Sequence, residues 1–204
     1  MEDLGAHARI VVMALILAGT SGCMPQLLPS LPPAASTYDF GPLRGDETQP
    51  LPIHAELAQL TAPSWLTGPE IRYRRLDEQP GVLRAYSQNP WVADVPELFA
   101  HRLRHRLAQA APPASGRSGL LRVEILSFEQ VFVAPDDAYV IALARAIFED
   151  AGGRAHSRDF ESRRPSAPHV EGATRGLPVV ADEVIDAITA WLQGMHSSLA
   201  VTGH

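Results

Sequence analysis

The chain has 204 residues, 46% of them apolar, which suits one ordinary domain with additional segments at its ends. Its formal net charge of −6 argues against a nucleic-acid-binding protein, because phosphate contacts need a surplus of basic residues on one face. The single cysteine, Cys23, excludes an internal disulfide and any zinc or iron–sulfur site that is built from paired cysteines.

The first 22 residues have the layout of a signal peptide. A short polar start is followed by the apolar run "IVVMALILA" at 10–18 and by the small residues of "GTSG". This run of nine residues is too short to cross about 30 Å of hydrocarbon, which needs roughly 20 residues. A transmembrane anchor is therefore not expected here.

Cys23 directly follows Gly22, and this arrangement resembles a bacterial lipobox. The resemblance implies that segment 1–22 is removed, that the thiol of Cys23 receives a diacylglycerol, and that the new amine is acylated. Thr20 departs from the leucine that the lipobox prefers at this position, while Met24 favours the outer over the inner membrane. Two other interpretations stay open: a secreted protein with a free thiol, and a cytosolic protein whose apolar N-terminus forms a core helix.

Segment 23–52 is predicted to be a tether between the anchor and the domain. It contains seven prolines, and each of them removes a backbone donor and restricts the residue before it. Regular helix or strand is therefore disfavoured, and a semi-rigid spacer is expected.

The folded domain is predicted to span residues 53–197, and 198–204 to form a disordered tail. "IHAELAQL" at 53–60 alternates apolar and polar residues as a half-buried strand does, and "EIRYRR" with "GVLRAY" indicate a short hairpin. The run that begins at Asp94 changes to helical spacing through Phe99, Leu103 and Leu107, and it ends at two prolines. This predicts an amphipathic helix with an arginine-rich outer face.

The second half of the domain is predicted to contain the longest strands. "LLRVEILSFEQVFV" and "YVIALARAIFED" flank the turn "APDDA" as a central hairpin, and "RAHSRDFESR" reads as a polar edge strand. An apolar stripe from Leu177 through Val184 and Ile188 to Met195 then predicts a second helix. The fold class that follows is α+β: a mixed, mostly antiparallel sheet of five or six strands with two long amphipathic helices packed on one face.

The residues that could carry chemistry favour no enzyme, no cofactor and no metal. His101 and His105 are four apart on the first helix, but arginines surround them and no third ligand is evident. Asp136 and Asp137 are read as turn residues, because the spaced ligands of a calcium loop are missing. Three tryptophans sit beside apolar residues and are expected in the core: Trp65, Trp91 and Trp191.

Five strings in this order resemble the ABC-type transport auxiliary lipoproteins, which include the paraquat-inducible type: "YDFGP", "APSWLTGPEIRYR", "LRAYSQNPWVADVPELFAHRLRHRL", "LRVEILSFEQVFV" and "AITAWL". The resemblance runs from Tyr38 to about Leu192. It implies a non-enzymatic lipoprotein on the periplasmic face of the outer membrane. Such a protein links an MCE-domain protein, and the inner-membrane ABC permease and ATPase, to that membrane while lipids or hydrophobic compounds are moved. Some members assemble into homo-oligomeric rings.

A second hypothesis is a lipoprotein that itself binds a lipid or a small apolar ligand in a pocket between the sheet and the helices. Such a groove would be lined by aromatic residues of the long hairpin, namely Phe128, Phe132, Tyr139 and Phe148.

Overall fold

The structure, a computed structural model, describes residues 36–43, 55–108 and 118–201. Within these ranges, six strands and two α-helices follow one another in the order β1 (Ala55–Thr61), β2 (Arg72–Arg75), β3 (Leu83–Ala85), α1 (Val95–Ala108), β4 (Gly119–Ala134), β5 (Asp137–Glu149), β6 (Ala155–Ser166) and α2 (Val170–Val201). A 3-10 turn, Ser64–Leu66, lies between β1 and β2.

The strands form one mixed sheet in the order β3-β2-β4-β5-β6, with β1 also paired to β4. The pairs β2–β3, β4–β5 and β5–β6 are antiparallel, whereas β1 and β2 run parallel to β4. The predicted α+β fold class is therefore confirmed. So are the short hairpin, the central hairpin and the edge position of β6.

One edge of β4 is shared by two short strands. β1 pairs with β4 from Gly119 to Glu124, and β2 pairs with it from Gln130 to Phe132. Since β5 occupies the other edge of β4, β1 and β2 together cover the remaining edge, and the 3-10 turn separates them. The parallel direction was not predicted, because periodicity within a strand carries no information about the direction of its partner.

The sheet buries the face on which the helices lie. On β5 this face consists of alternating residues that are 4% exposed or less: Ala138, Val140, Ala142, Ala144, Ala146 and Phe148. Four of these are alanines, and their small side chains leave room for a helix to approach. At Gly176 of α2 an added Cβ would lie 2.8 Å from Cγ2 of Val140, so only glycine permits this closeness.

Helix α2 begins seven residues before the predicted start at Leu177. The apolar stripe that predicted this helix begins only at Leu177, so the preceding two turns were not expected. The structure keeps the helix continuous through Pro178 and starts it near His169, whose carbonyl accepts the amides of Gly172 and Ala173. The helix continues to Val201, past residue 198 where the tail was predicted to begin.

The tryptophan predictions are confirmed for two of the three residues. Trp91 is 2% exposed, and Trp191 packs against the core with its ring 5.6 Å from that of Phe160. The prediction for Trp65 is wrong, because its side chain is 57% exposed. In the 3-10 turn the neighbouring Leu66 occupies the buried position instead.

Candidate functional site

The predicted lipidation residue, Cys23, lies outside the described residues, as do segment 1–22 and most of the predicted tether. In the part of the chain that the structure describes, no helix combines the length and apolar character that crossing a bilayer requires.

The two histidines on α1 do not converge with further ligands. The side chain of His101 is exposed and that of His105 is half-buried. Across residues 36–43, 55–108 and 118–201, histidine, cysteine and carboxylate side chains form no group of three that could hold a metal ion. Asp136 lies in the turn between β4 and β5, and Asp137 is exposed at the first position of β5.

The aromatic residues that would have lined an apolar pocket do not share one cavity. Phe128, Phe132 and Phe148 are 1%, 6% and 4% exposed in the closed core. Tyr139 lies on the opposite face of the sheet, where the guanidinium carbon of Arg163 stands 3.3 Å from its ring centroid. The structure therefore gives no support to a ligand pocket built from these four residues.

Part of the predicted tether belongs to the folded unit. Tyr38 forms an isolated parallel bridge with Trp91: its amide donates to the Pro90 carbonyl at 3.0 Å, and its own carbonyl accepts the Val92 amide at 2.7 Å. Phe40 is 6% exposed, and its ring meets Trp91 edge-on at 5.5 Å. Segment 36–43 is thus held by main-chain bonds and by a buried aromatic side chain.

Arg102 on α1 fastens this segment to both helices. Its guanidinium is 8% exposed and donates to both carboxylate oxygens of Asp182 on α2, at 2.9 and 3.1 Å. The same group donates to the carbonyls of Phe40 and Gly41, the latter at 2.9 Å. One arginine therefore joins α1, α2 and segment 36–43 through charge-assisted hydrogen bonds.

A second ion pair repeats this arrangement one helical turn later. Arg106 donates to Asp186 at 2.8 Å, in a more exposed position. Because both partners advance by four residues in the same direction, α1 and α2 run parallel at this contact. The predicted arginine-rich outer face of α1 is therefore wrong for Arg102, which points inward, whereas Arg104 is exposed.

A groove of about 620 Å³ lies beside this ion pair, and we call it the junction groove. One wall is segment 37–42 and the other is the part of α2 from Thr174 to Asp182, with Val92 and Arg102 completing the lining. It is half-open and combines apolar side chains with charged ones, so it suits a partner that carries both.

A buried amide positions the beginning of α2, which supplies one wall of the groove. Gln130 of β4 is fully buried, accepts the Tyr86 hydroxyl at 2.6 Å, and donates to Ser166 Oγ at 3.0 Å and to the Ala167 carbonyl at 2.7 Å. Burial raises the pKa of Tyr86 to about 12, which keeps its hydroxyl protonated as the donor in this network.

Comparisons of the sequence with protein-family models and with curated proteins found no match. Among solved structures, a Xanthomonas campestris protein of family DUF330 aligns with a TM-score of 0.58 and 19% identity, over 73% of this chain and 91% of that one. An uncharacterized protein aligns with a TM-score of 0.54 and 15% identity, over 78% of this chain and 99% of that one. These similarities show a shared fold.

A bacterial lipoprotein is also among the structural neighbours. The minor lipoprotein of Acinetobacter baumannii aligns at 12% identity over 69% of this chain and 96% of that one. Its TM-score of 0.38 is too low to carry an argument.

The role of Arg102 was missed in the sequence, although a signal for it exists. Arg102 and Arg106 on α1 have the same spacing as Asp182 and Asp186 on α2. Matched pairs of opposite charge at a spacing of four on two predicted helices are what a helix–helix contact with two ion pairs would require.

Proposed function

We propose that this protein is a lipid-anchored adaptor of an MCE-type ABC transport system, acting at the periplasmic face of the outer membrane. This proposal is supported by a contact between the segments whose sequences resemble the transport auxiliary lipoproteins. Phe40 of "YDFGP" packs edge-on against Trp91 of "NPWV" and against Phe99 of the following helix. Arg102 of that helix then binds the Phe40 carbonyl. Strings far apart in the sequence thus form one contiguous cluster, which supports the view that they belong to a single architecture.

The position of this cluster limits how far the domain can stand from an anchor at Cys23. Thirteen residues lead from Cys23 to Ser36, where the described segment begins, and an extended chain covers at most about 3.5 Å per residue. The domain would therefore be held within roughly 45 Å of the lipid. This reach suits an adaptor that works close to its own membrane and meets a partner that arrives from the inner membrane.

The anchor is tested by replacing Cys23 with serine in cells fed an alkyne-labelled fatty acid. We expect the variant to lose the label and to leave the outer-membrane fraction. Thr20→Leu, which restores the residue that the lipobox prefers, should keep the label and increase the processed fraction. Unchanged membrane retention of Cys23→Ser would refute the anchor.

The transport role is tested separately from the anchor. The full chain should co-purify with an MCE-domain protein after in vivo crosslinking, and genes for an MCE-domain protein and an ABC permease should lie directly upstream. An isolated gene among hydrolases, together with no crosslink to an MCE-domain protein, would refute this role.

A further inference from the structure

One side of segment 36–43 offers unpaired main-chain groups to the junction groove. In an extended chain, the amide and carbonyl of successive residues point to opposite sides. The amide of Tyr38 donates to the Pro90 carbonyl, and the carbonyl of Tyr38 accepts the Val92 amide. The amides and carbonyls of Thr37 and Asp39 therefore point the other way, and both residues line the groove. Within the described part of the chain, these four groups form no hydrogen bond.

The opposite wall also presents an acceptor. Pro178 lies inside α2 and has no N–H, so the carbonyl of Thr174 lacks its usual donor four residues later. Both residues line the groove. A carbonyl without its usual helical donor thus belongs to the second wall.

Two cations and two carboxylates line the groove, so its formal charge is zero, and Arg175 is the cation of this set without an ion-pair partner among the described residues. The carboxylate of Asp182 is paired with Arg102, and that of Asp39 accepts the Gly41 amide at 2.7 Å. Arg175 is exposed at the groove, and among the described residues no carboxylate pairs with it. A ligand with an acidic group would supply the missing partner.

The groove also exposes apolar surface. Val92 is 62% exposed and Val179 is 37% exposed, although most large apolar side chains of the domain are buried. Exposed aliphatic side chains beside unpaired main-chain groups are typical of surfaces that add a strand from a partner.

We propose that the junction groove binds an extended peptide segment of a partner protein. The segment pairs along Thr37 and Asp39, places an aliphatic side chain against Val92 and Val179, and brings a carboxylate to Arg175. A lipid fits less well, because an acyl chain cannot pair the main-chain groups and would bring Asp39 into contact with hydrocarbon. Binding of such a segment does not depend on the transport role.

The probe is a fluorescein-labelled heptapeptide that alternates valine with glutamate, and binding to the full chain in detergent micelles is followed by fluorescence polarisation. Empty micelles give the background. Replacing Arg175 with glutamate should weaken binding by about five- to tenfold, since an exposed attraction becomes a repulsion. Arg104→Glu is the matched control, because Arg104 is also exposed, lies on α1 and does not line the groove; it should change the affinity by less than about twofold.

Two further peptides distinguish binding through main-chain pairing and charge from nonspecific binding. A heptapeptide with lysine in place of glutamate should bind Arg175→Glu better than the unaltered protein, which also shows that the variant is folded. A heptapeptide with N-methylated amides should lose most of its binding, because it cannot pair as a strand. Equal binding of the N-methylated peptide, or an equal loss in Arg104→Glu, would overturn the proposal. So would Arg175-dependent binding to phosphatidylglycerol vesicles without peptide binding, since that result would assign the groove to lipid.

Discussion

Replacing Arg102 with methionine tests the joint between the two helices and segment 36–43. Methionine retains much of the apolar stem but removes the guanidinium and its bonds to Asp182 and to two carbonyls. The side chains of the pair are 8% and 14% exposed, so the carboxylate would lose the Arg102 guanidinium in a poorly hydrated position.

The expected loss of unfolding free energy is about 3 kcal/mol, the lower end of the range for removing one partner of a buried ion pair. The matched variant is Arg106→Met, one turn along the same helix. Its pair with Asp186 is more exposed, at 22% and 51%, and pairs of this kind contribute at most about 1 kcal/mol. The two substitutions are chemically identical, but the sites differ in burial and in the two carbonyls to which Arg102 also donates.

Urea denaturation followed by tryptophan fluorescence measures both variants, and Trp91, which meets Phe40 edge-on, reports on the docked segment. Combining Arg102→Met with Asp182→Leu should recover most of the loss, because the buried carboxylate that Arg102 compensated is then removed as well. An equal loss of stability in Arg102→Met and Arg106→Met, or no recovery in the double variant, would refute the reasoning.

Three further predictions concern the same domain. Pro178→Ala returns a hydrogen bond to α2 and should raise the unfolding free energy in urea by up to about 3 kcal/mol; an unchanged midpoint would contradict this. Burial raises the pKa of Tyr86 from 10.0 to about 12. The contribution of Tyr86 to the unfolding free energy is therefore complete below pH 10, where the phenol is protonated in the folded and unfolded states, and it is lost as the pH rises toward 12. The unfolding free energy of Tyr86→Phe, measured across this window, should fall less steeply than that of the unaltered chain. The hydrogen bond from the Arg154 amide is the main cause of the lowered pKa of Asp150. The contribution of Asp150 to the unfolding free energy is present above pH 3.8, the ordinary pKa of the group, and is lost as the pH falls below it. Acid titration should therefore destabilise Asp150→Asn less than the unaltered chain.

The long hairpin could be predicted because burial and sequence agree there. On β4, Leu121, Val123 and Ile125 alternate with exposed residues, and a strand with one buried face shows this period directly. The bulge between Ile125 and Ser127 could not be predicted, because one inserted residue resembles a brief lapse in alternation.

The candidate site was harder to predict, since it depends on contacts between distant segments. Arg102 carries a charge, and charged residues are usually exposed, so the sequence placed it on the outer face of α1. Its burial becomes favourable only once Asp182 and the Phe40 carbonyl are brought beside it, 80 and 62 residues away in the chain. Periodicity describes single elements and cannot anticipate this arrangement.

The same segment links anchoring and the proposed binding surface. Segment 36–43 is the part of the predicted tether that is docked on the domain, where Arg102 binds it and where it forms one wall of the junction groove. A ligand that pairs with Thr37 and Asp39 binds only while this segment is docked. Binding therefore stabilises the docked state, and the free energy of this stabilisation grows with the ratio of ligand concentration to Kd. Occupancy of the groove would thus strengthen the attachment of segment 36–43 to the rest of the domain.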